Sequence, residues 1–443
     1  MDPSFSDVVN DLKVPDDFNK YTECIEFEDT DALNRLHEWR DKVPQLLAEL
    51  KSLLEKKLDH RTLDVPGAAH IGAVVLAFVN EDDPWVHPAS CNLARDILDF
   101  LSIDTVDAVT HILVHIIKPL FQSNPHPRLN AGGRSLPRVA GGADAVQDVF
   151  ECQKWKTHPG VSNVLLWCVE HIDDSHYERL WPLLIPPVMT LLDDYQIQQK
   201  LRGVQLVQVM LQRVPVSVLK RTGIDILLQK ASLSSIRESP QLLSSAIRAS
   251  LTLTLLTTKE GTSERFDQLC TLVGDGIIGS IWTYSSTKHD VMTASLKALP
   301  PVTRALGIGN ARFMRALIPQ LVHPLTIPAP VVMQEAALQA LDALCDECKP
   351  CIHRWKGTIL DGVVKAWVRS CDSSAAPDIR EFQGIYLCEA LRANDVFTAS
   401  TGDLDNLRLS LGKECKKLVG ICPSAKSVSI GAIGIYHRSR FSG

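Results

Sequence analysis

The stretch Leu184-Ile185-Pro186-Pro187-Val188, followed by Leu201-Arg202-Gly203-Val204-Gln205-Leu206, has a degenerate second copy in Leu317-Ile318-Pro319-Gln320-Leu321 followed by Ala337-Leu338-Gln339-Ala340-Leu341. Each copy sets a proline in a first apolar helix and a small residue beside a Leu in a second helix. That is the pattern of a HEAT repeat. Pro186 and Pro319 lie 133 positions apart, close to three units of about 44 residues, within the usual HEAT length. Lys118-Pro119-Leu120 is a weaker third echo. Antiparallel helices joined by short turns build either bundles or solenoids, and internal similarity separates the two. The expected fold class is therefore all-α, an α-solenoid of HEAT/armadillo-like helical repeats with no β-sheet.

Working outward, residues 31–422 repeat one theme: an apolar segment of helical period and length, a Pro, Gly or Asp, and another such segment. Helices are expected at 31–58 with a break at Pro44, and at 89–101, 104–121, 161–171, 177–192, 196–213, 216–230, 240–258, 263–274, 286–306, 310–322, 331–347, 355–370, 378–394 and 403–420. Leu201, Val204, Val207 and Leu211 fall on one helix stripe while Arg202, Gln205 and Gln208 point elsewhere. Five regions follow. Residues 1–30 read as an acidic flexible tail, 31–122 as an N-terminal helical region, 123–150 as a Gly/Pro-rich loop or linker, 151–422 as the C-terminal α-solenoid and 423–443 as an irregular tail.

Composition narrows the function classes. Of 443 residues, 45% are hydrophobic and 22% charged, a globular balance, and with only 6% aromatics the packing falls to Leu, Val, Ile and Ala. The net charge of -6 gives no pull toward a phosphate backbone, and no dense Lys/Arg cluster supplies one locally, so nucleic acid is not an expected ligand. Residues 1–31 hold ten Asp/Glu against two Lys, unlike a signal peptide. The longest purely apolar run, Ala73 to Val79, is far short of the roughly 20 residues a bilayer requires. No membrane association is expected. The 12 cysteines, mostly inside apolar helical stretches, fit reduced thiols, and the expected location is cytoplasmic and nuclear.

Three constellations invite chemistry. Cys345, Cys348 and Cys351 with His353 have short metal-ligand spacing, yet the fourth cysteine of a ferredoxin run and the second couple of a zinc site are missing. Inert thiols at a helix end followed by a turn at Pro350 explain them better. Gly274-Asp275-Gly276-Ile277-Ile278-Gly279 matches the dinucleotide fingerprint, but a helical segment precedes it where a strand is needed. A helix end followed by a Gly-rich turn is the expectation. Glu170, His171, Asp173, Asp174 and His176 crowd one stretch, where Asp173, Asp174 or Ser175 as N-cap of the next helix is the ordinary explanation. No Walker, zincin or α/β-hydrolase motif occurs. No enzyme and no cofactor are expected.

Between Trp181 and Leu233 four blocks occur in order: Trp181-Pro182-Leu183-Leu184-Ile185-Pro186-Pro187, Leu191-Leu192-Asp193-Asp194-Tyr195, Lys200-Leu201-Arg202-Gly203 and Leu219-Lys220-Arg221-Thr222-Gly223. In sequence and spacing they resemble the Tti-two family (Tel-two-interacting protein two), and Asn124-Pro125 to Gly133-Arg134 resembles its upstream Gly-Arg loop. The resemblance is densest over 124–233, weaker to 371, and absent from the last twenty residues, where the family's terminal pattern is not found. It implies a non-enzymatic scaffold subunit of the TTT co-chaperone complex. Implied partners are the larger Tti-one and Tel-two solenoids and, indirectly, the heat-shock ninety chaperone and the phosphatidylinositol-three-kinase-related kinases of TOR signalling, DNA-damage checkpoints and telomere maintenance. Asp193, Asp194, Lys200, Arg202, Gly203, Arg221, Thr222 and Gly223 are the motif residues, structural or partner-binding. An ion-pair ladder from Asp193 and Asp194 to Lys200 and Arg202, close helix contact at Gly203 and a cap from Thr222 are expected of them. A generic HEAT/armadillo-type adaptor in another assembly, or a metal-binding helical protein, is the alternative.

Overall fold

A computed structural model describes residues 3–58, 63–122, 125–137, 153–236, 239–285 and 288–372. The helices expected at 378–394 and 403–420 and the tail from 423 lie outside the described residues. Among the described residues the regular structure is helical, with one isolated antiparallel bridge between Leu129 and Ser135. The chain divides into two compact units, Met1–Arg265 and Phe266–Gly443. The boundary falls there and not at the Gly/Pro-rich stretch 123–150, because the loop at 125–137 is bonded into the first unit.

Among the described residues of the first unit the principal helices are α1 (Pro3–Asp11), α2 (Thr30–Leu58), α3 (Val65–Val75), α4 (Pro88–Leu101), α5 (Val106–Ile112), α6 (Val161–Glu170), α7 (Tyr177–Leu192), α8 (Ile197–Met210), α9 (Val216–Thr222), α10 (Ile224–Ser235) and α11 (Pro240–Thr257). They stack in two rows. One runs from the turn at the end of α3 through α6 and α8 to α11, and the other from the segment after α5 through α7 to α10. Contacts α3 to α5, α7 to α8 and α10 to α11 join the rows. Each helix thus packs against its partner in the pair and against its counterpart in the next pair, which is the α-solenoid arrangement. In the second unit α12 (His289–Leu306), α13 (Met314–Thr326), α14 (Val331–Glu347) and α15 (Lys356–Asp372) repeat it, α12 packing on α14 and α13 on α15.

Four expectations are corrected. The acidic stretch 1–30 is not a tail: α1, a 3-10 turn at Asp16–Lys20 and a helix at Tyr21–Glu26 bury Val8, Val9, Leu12 and Phe18 in the core of the first unit. Charge dominates its composition, but its few apolar side chains share one face. Helix α2 passes through Pro44 without breaking. An interior proline costs about 3 kcal/mol, and the wholly buried Val43, Leu47, Leu50 and Leu54 outweigh it at about 1.5–3 kcal/mol each. The expected helix 216–230 is two helices, α9 and α10, parted at Gly223 with φ +68. The Gly-rich turn expected after 274 is instead a π-helical run from Leu272 to Trp282. Its wide turn brings the Gly274 carbonyl so close that a Cβ at Gly279 would lie 2.9 Å from the oxygen, so the glycines serve backbone packing.

Among the described residues no single helix is long and apolar enough to cross a membrane; α4 and the helical segment Val106–Phe121 together are, with a 120° bend between them. Their apolar faces, including Ala94, Ile97, Ile112 and Leu113, are core.

Candidate functional site

Three of the four motif blocks hold the loop 125–137. Asn130 shapes it: the side-chain oxygen accepts from the Gly132 amide at 3.0 Å and the Arg134 amide at 2.9 Å, while the Asn130 amide donates to the Arg134 carbonyl at 3.0 Å. Gly133 has φ +68, a backbone shape in which a side chain is strained. Its carbonyl accepts from Trp181 Nε1 at 3.0 Å, and a Cβ there would lie 3.2 Å from the indole. The first motif block therefore holds the loop through its tryptophan.

Two other blocks hold the loop as well. His126 is buried and its Nε2 lies 3.1 Å from Asp193 Oδ2. Its Nδ1 accepts from the Arg128 amide at 3.3 Å, which puts the ring proton on Nε2 and makes Asp193 the acceptor. The Ser135 amide donates to the Thr222 carbonyl at 2.9 Å, and Gly223 brings that end of α9 within 3.4 Å of Ser135 for a hypothetical Cβ. The Thr222 hydroxyl does not cap α10. It donates back to the Val218 and Leu219 carbonyls at 2.7 and 3.2 Å, since the left-handed residue at 223 turns the next helix away from it.

Asp193, Asp194 and Arg202, expected in a ladder with Lys200, each take another partner. Asp194, wholly buried, pairs with Lys156 Nζ at 2.7 Å and takes the Gln196 amide at 2.8 Å on its other oxygen. The Lys156 ammonium also lies 4.2 Å from the centre of the Tyr195 ring. Arg202 pairs with Asp83 and bonds Gln205 at 3.2 Å. The second Asp83 oxygen accepts from Asn163 at 2.7 Å, and the same amide reaches the Ala77 carbonyl at 3.2 Å. Lys200 is buried at 7% exposure. Arg221 meets Glu178 at 2.6 Å on the surface, a pair worth about 0–1 kcal/mol. Asp193 and Asp194 end one row of the solenoid while Arg202 lies on a helix of the other, facing a different neighbour.

Gly203 behaves as expected. A Cβ there would lie 2.7 Å from the Leu192 amide nitrogen and 2.9 Å from the Leu191 carbonyl carbon, so glycine lets α7 and α8 touch. Sequence reading missed Asp83, His126, Lys156 and Asn163 as partners. Nothing local marks them, because each bond joins distant segments: Arg202 and Asp83 are 119 positions apart. Around the clamped loop Arg128, Arg134, Lys220 and Arg221 are left exposed.

The other candidates do not assemble. Among the described residues no three His, Cys, Asp or Glu side chains come together as a metal-holding group. Cys345 and Cys348 are buried and Cys351 half-buried at the end of α14, with the Cys351 Sγ 3.7 Å from the Met314 sulfur and 3.4 Å from the Cys348 carbonyl. His353 lies in the 3-10 turn His353–Trp355. In the acidic and imidazole stretch, His171 stacks on Trp167 at 4.2 Å between ring centres and Glu170 offers its backbone carbonyl to Arg213. None of Asp173, Asp174 and Ser175 caps α7.

Burial, and then the Cys351 contact, push the Cys348 thiol up to about 12; burial alone raises Cys168. Thiolate is the reactive form. In the folded chain at pH 8, iodoacetamide is expected to label the half-buried Cys24 and Cys351 well before Cys348 and Cys168, as followed by peptide mass spectrometry over time. Fast labelling of Cys348 would contradict the buried-thiol account.

Compared with known proteins, residues 72–333 match the model of the Tti2 family, a span that contains the loop, all four motif blocks and Asp83. Among solved structures, the crystal structure of Kap121p bound to Pho4p is similar over 84% of this chain, with 13% identity and a TM-score of 0.47. The match covers 37% of that chain.

Proposed function

The chain belongs to the Tti2 family, and from that membership we propose that it is a non-enzymatic scaffold subunit of a TTT-type co-chaperone assembly. Its partners in this reading are two larger helical-repeat proteins of the Tti-one and Tel-two kinds. Through them it serves the heat-shock ninety chaperone in maturing and stabilising phosphatidylinositol-three-kinase-related kinases, in cytoplasm and nucleus. The observation that carries the reading is the use made of the motif residues. Asp193 and Thr222 are spent on holding one loop, Gly203 on one helix contact, and Asp194 and Arg202 on ion pairs to Lys156 and Asp83, roles that make a rigid surface for docking. The exposed Arg128, Arg134 and Lys220 around that loop add positive charge to this surface on a chain of net charge -6.

The test is a tagged chain expressed at native level and recovered at moderate salt, with mass spectrometry of the bound proteins. Two larger helical-repeat chains in stoichiometric amount, with chaperone or kinase chains below them, are expected. Depleting the chain should then lower steady-state levels of those kinases. A different stoichiometric partner with both solenoids missing would replace this reading by that of a general HEAT-type adaptor.

A further inference from the structure

A pocket of about 290 Å3 opens in the first unit between the residues that follow α1, helix α3, the π-turn Leu113–Ile117 and the start of α6. Its walls are aliphatic, with Ala73, Ala77, Ile117, Leu120 and Val164 among them. Gly160 and Ala77 meet there so closely that a Cβ on Gly160 would lie 2.4 Å from that of Ala77. The polar groups are Lys13, His70 and His158, with Thr157 beside them. Among the described residues none of Lys13, His70 and His158 has an ion-pair partner.

The groups around them are mostly cationic. His70 faces Lys13 and His111, and His158 faces Lys13, Lys154 and Asp16. Partial burial first, and Lys13 next, hold the His70 imidazole below its ordinary value; partial burial holds His158 there too, against a hydrogen bond at the Lys154 backbone that pulls the other way. Thr157 Oγ1 donates to the Lys154 carbonyl at 2.8 Å and so accepts from His158 Nδ1 at 2.9 Å, which leaves Nε2 of the neutral His158 ring without a proton. At neutral pH Lys13 supplies the charge and His70 an N–H donor. An apolar slot with an unpaired ammonium and one imidazole donor at its mouth is the complement of an alkyl chain that ends in an anion. The volume decides its size. At about 290 Å3 it stands at the small end of ligand sites, room for a single medium-length chain and too little for an amphipathic helix.

We propose that this pocket binds a medium-chain carboxylate, its alkyl chain along Ala73, Ala77, Leu120 and Val164 and its head group at Lys13 and His70. The site is independent of the assembly role, since none of the motif residues lines it.

The probe is decanoate, titrated calorimetrically into the full chain below its micelle concentration, with decanol and butyrate alongside. Saturable one-to-one binding of decanoate is expected, with butyrate bound far more weakly because it leaves most of the slot empty. Lys13→Ala, at an exposed residue without an ion-pair partner, should keep the melting curve unchanged and weaken decanoate about tenfold or more, by loss of a charged hydrogen-bond donor. Decanol binding should not change in that variant. Ala77→Leu should remove both ligands by filling the slot; if it does not fold, the Lys13→Ala comparison decides alone. Failure of decanoate to saturate, or decanoate binding indifferent to Lys13→Ala, overturns the proposal.

Discussion

Lys156→Met is expected to destabilise the first unit by about 3–5 kcal/mol, the cost of stranding one member of a buried ion pair. The Asp194 side chain has 0% exposure and its Oδ2 lies 2.7 Å from the Lys156 ammonium. With methionine in place, the carboxylate keeps the Gln196 amide, 2.8 Å from its other oxygen, and loses the cation. The sign does not depend on how much the pair contributes beyond an apolar substitute. Taking two charges out of water costs nearly what their attraction returns, but removing one leaves the cost without the return. The Tyr195 ring, 4.2 Å from the ammonium, loses its cation as well. Urea denaturation of the purified chain reads the effect as a lower midpoint at an unchanged slope. The double variant Lys156→Met with Asp194→Leu should recover most of the loss. A single variant within about 1 kcal/mol of the parent would show that Asp194 is not sealed from water.

Gly203→Val should be of similar size for a different reason. The atoms a Cβ would strike, the Leu192 nitrogen at 2.7 Å and the Leu191 carbonyl carbon at 2.9 Å, are backbone, so no side-chain rotation relieves the contact. Helices α7 and α8 must separate, and with them the buried Leu191, Leu192, Val204 and Val207. Overpacking costs about 1–3 kcal/mol where side chains can yield, so a loss at or above the top of that range is expected. Gly203→Ala tests the cause. Alanine favours a helix over glycine by about 1 kcal/mol, so an exposed position would gain; here a loss is expected. Gly357→Ala on α15, where a Cβ meets nothing within 4 Å, is the control and should gain a few tenths to about 1 kcal/mol. Equal effects at the two positions in thermal melts would refute the close-contact account of Gly203.

How much of this was legible beforehand differs by level. Helix α7 spans Tyr177–Leu192 and α14 spans Val331–Glu347, the limits their apolar period marks out, because a helix that must bury one face writes that face into its own residues at a period of 3.6. Gly203 was legible for the same reason: a small residue on the packed stripe of a helix implies a close neighbour. Pro44 misled, since its local cost of about 3 kcal/mol is set against burial that only distant helices supply. The acidic stretch 1–30 misled in the same way, its few apolar side chains finding their cover on helix α2 and beyond.

The polar contacts of the site were not legible at all. Residue type and order identify Asp193, Asp194 and Arg202 as charged and neighbouring in sequence, and local physics then offers a ladder among them. The folded chain instead gives Asp193 to His126, 67 positions away, Asp194 to Lys156 and Arg202 to Asp83. Helical period and the all-α repeat are local, carried by side chains three and four residues apart, and so belong to the amino-acid order. The choice of partner for each charge belongs to the stacking of helix pairs, because a charge pairs with whatever opposite charge the packing of the apolar faces happens to bring within about 4 Å, and that distance has no counterpart along the chain.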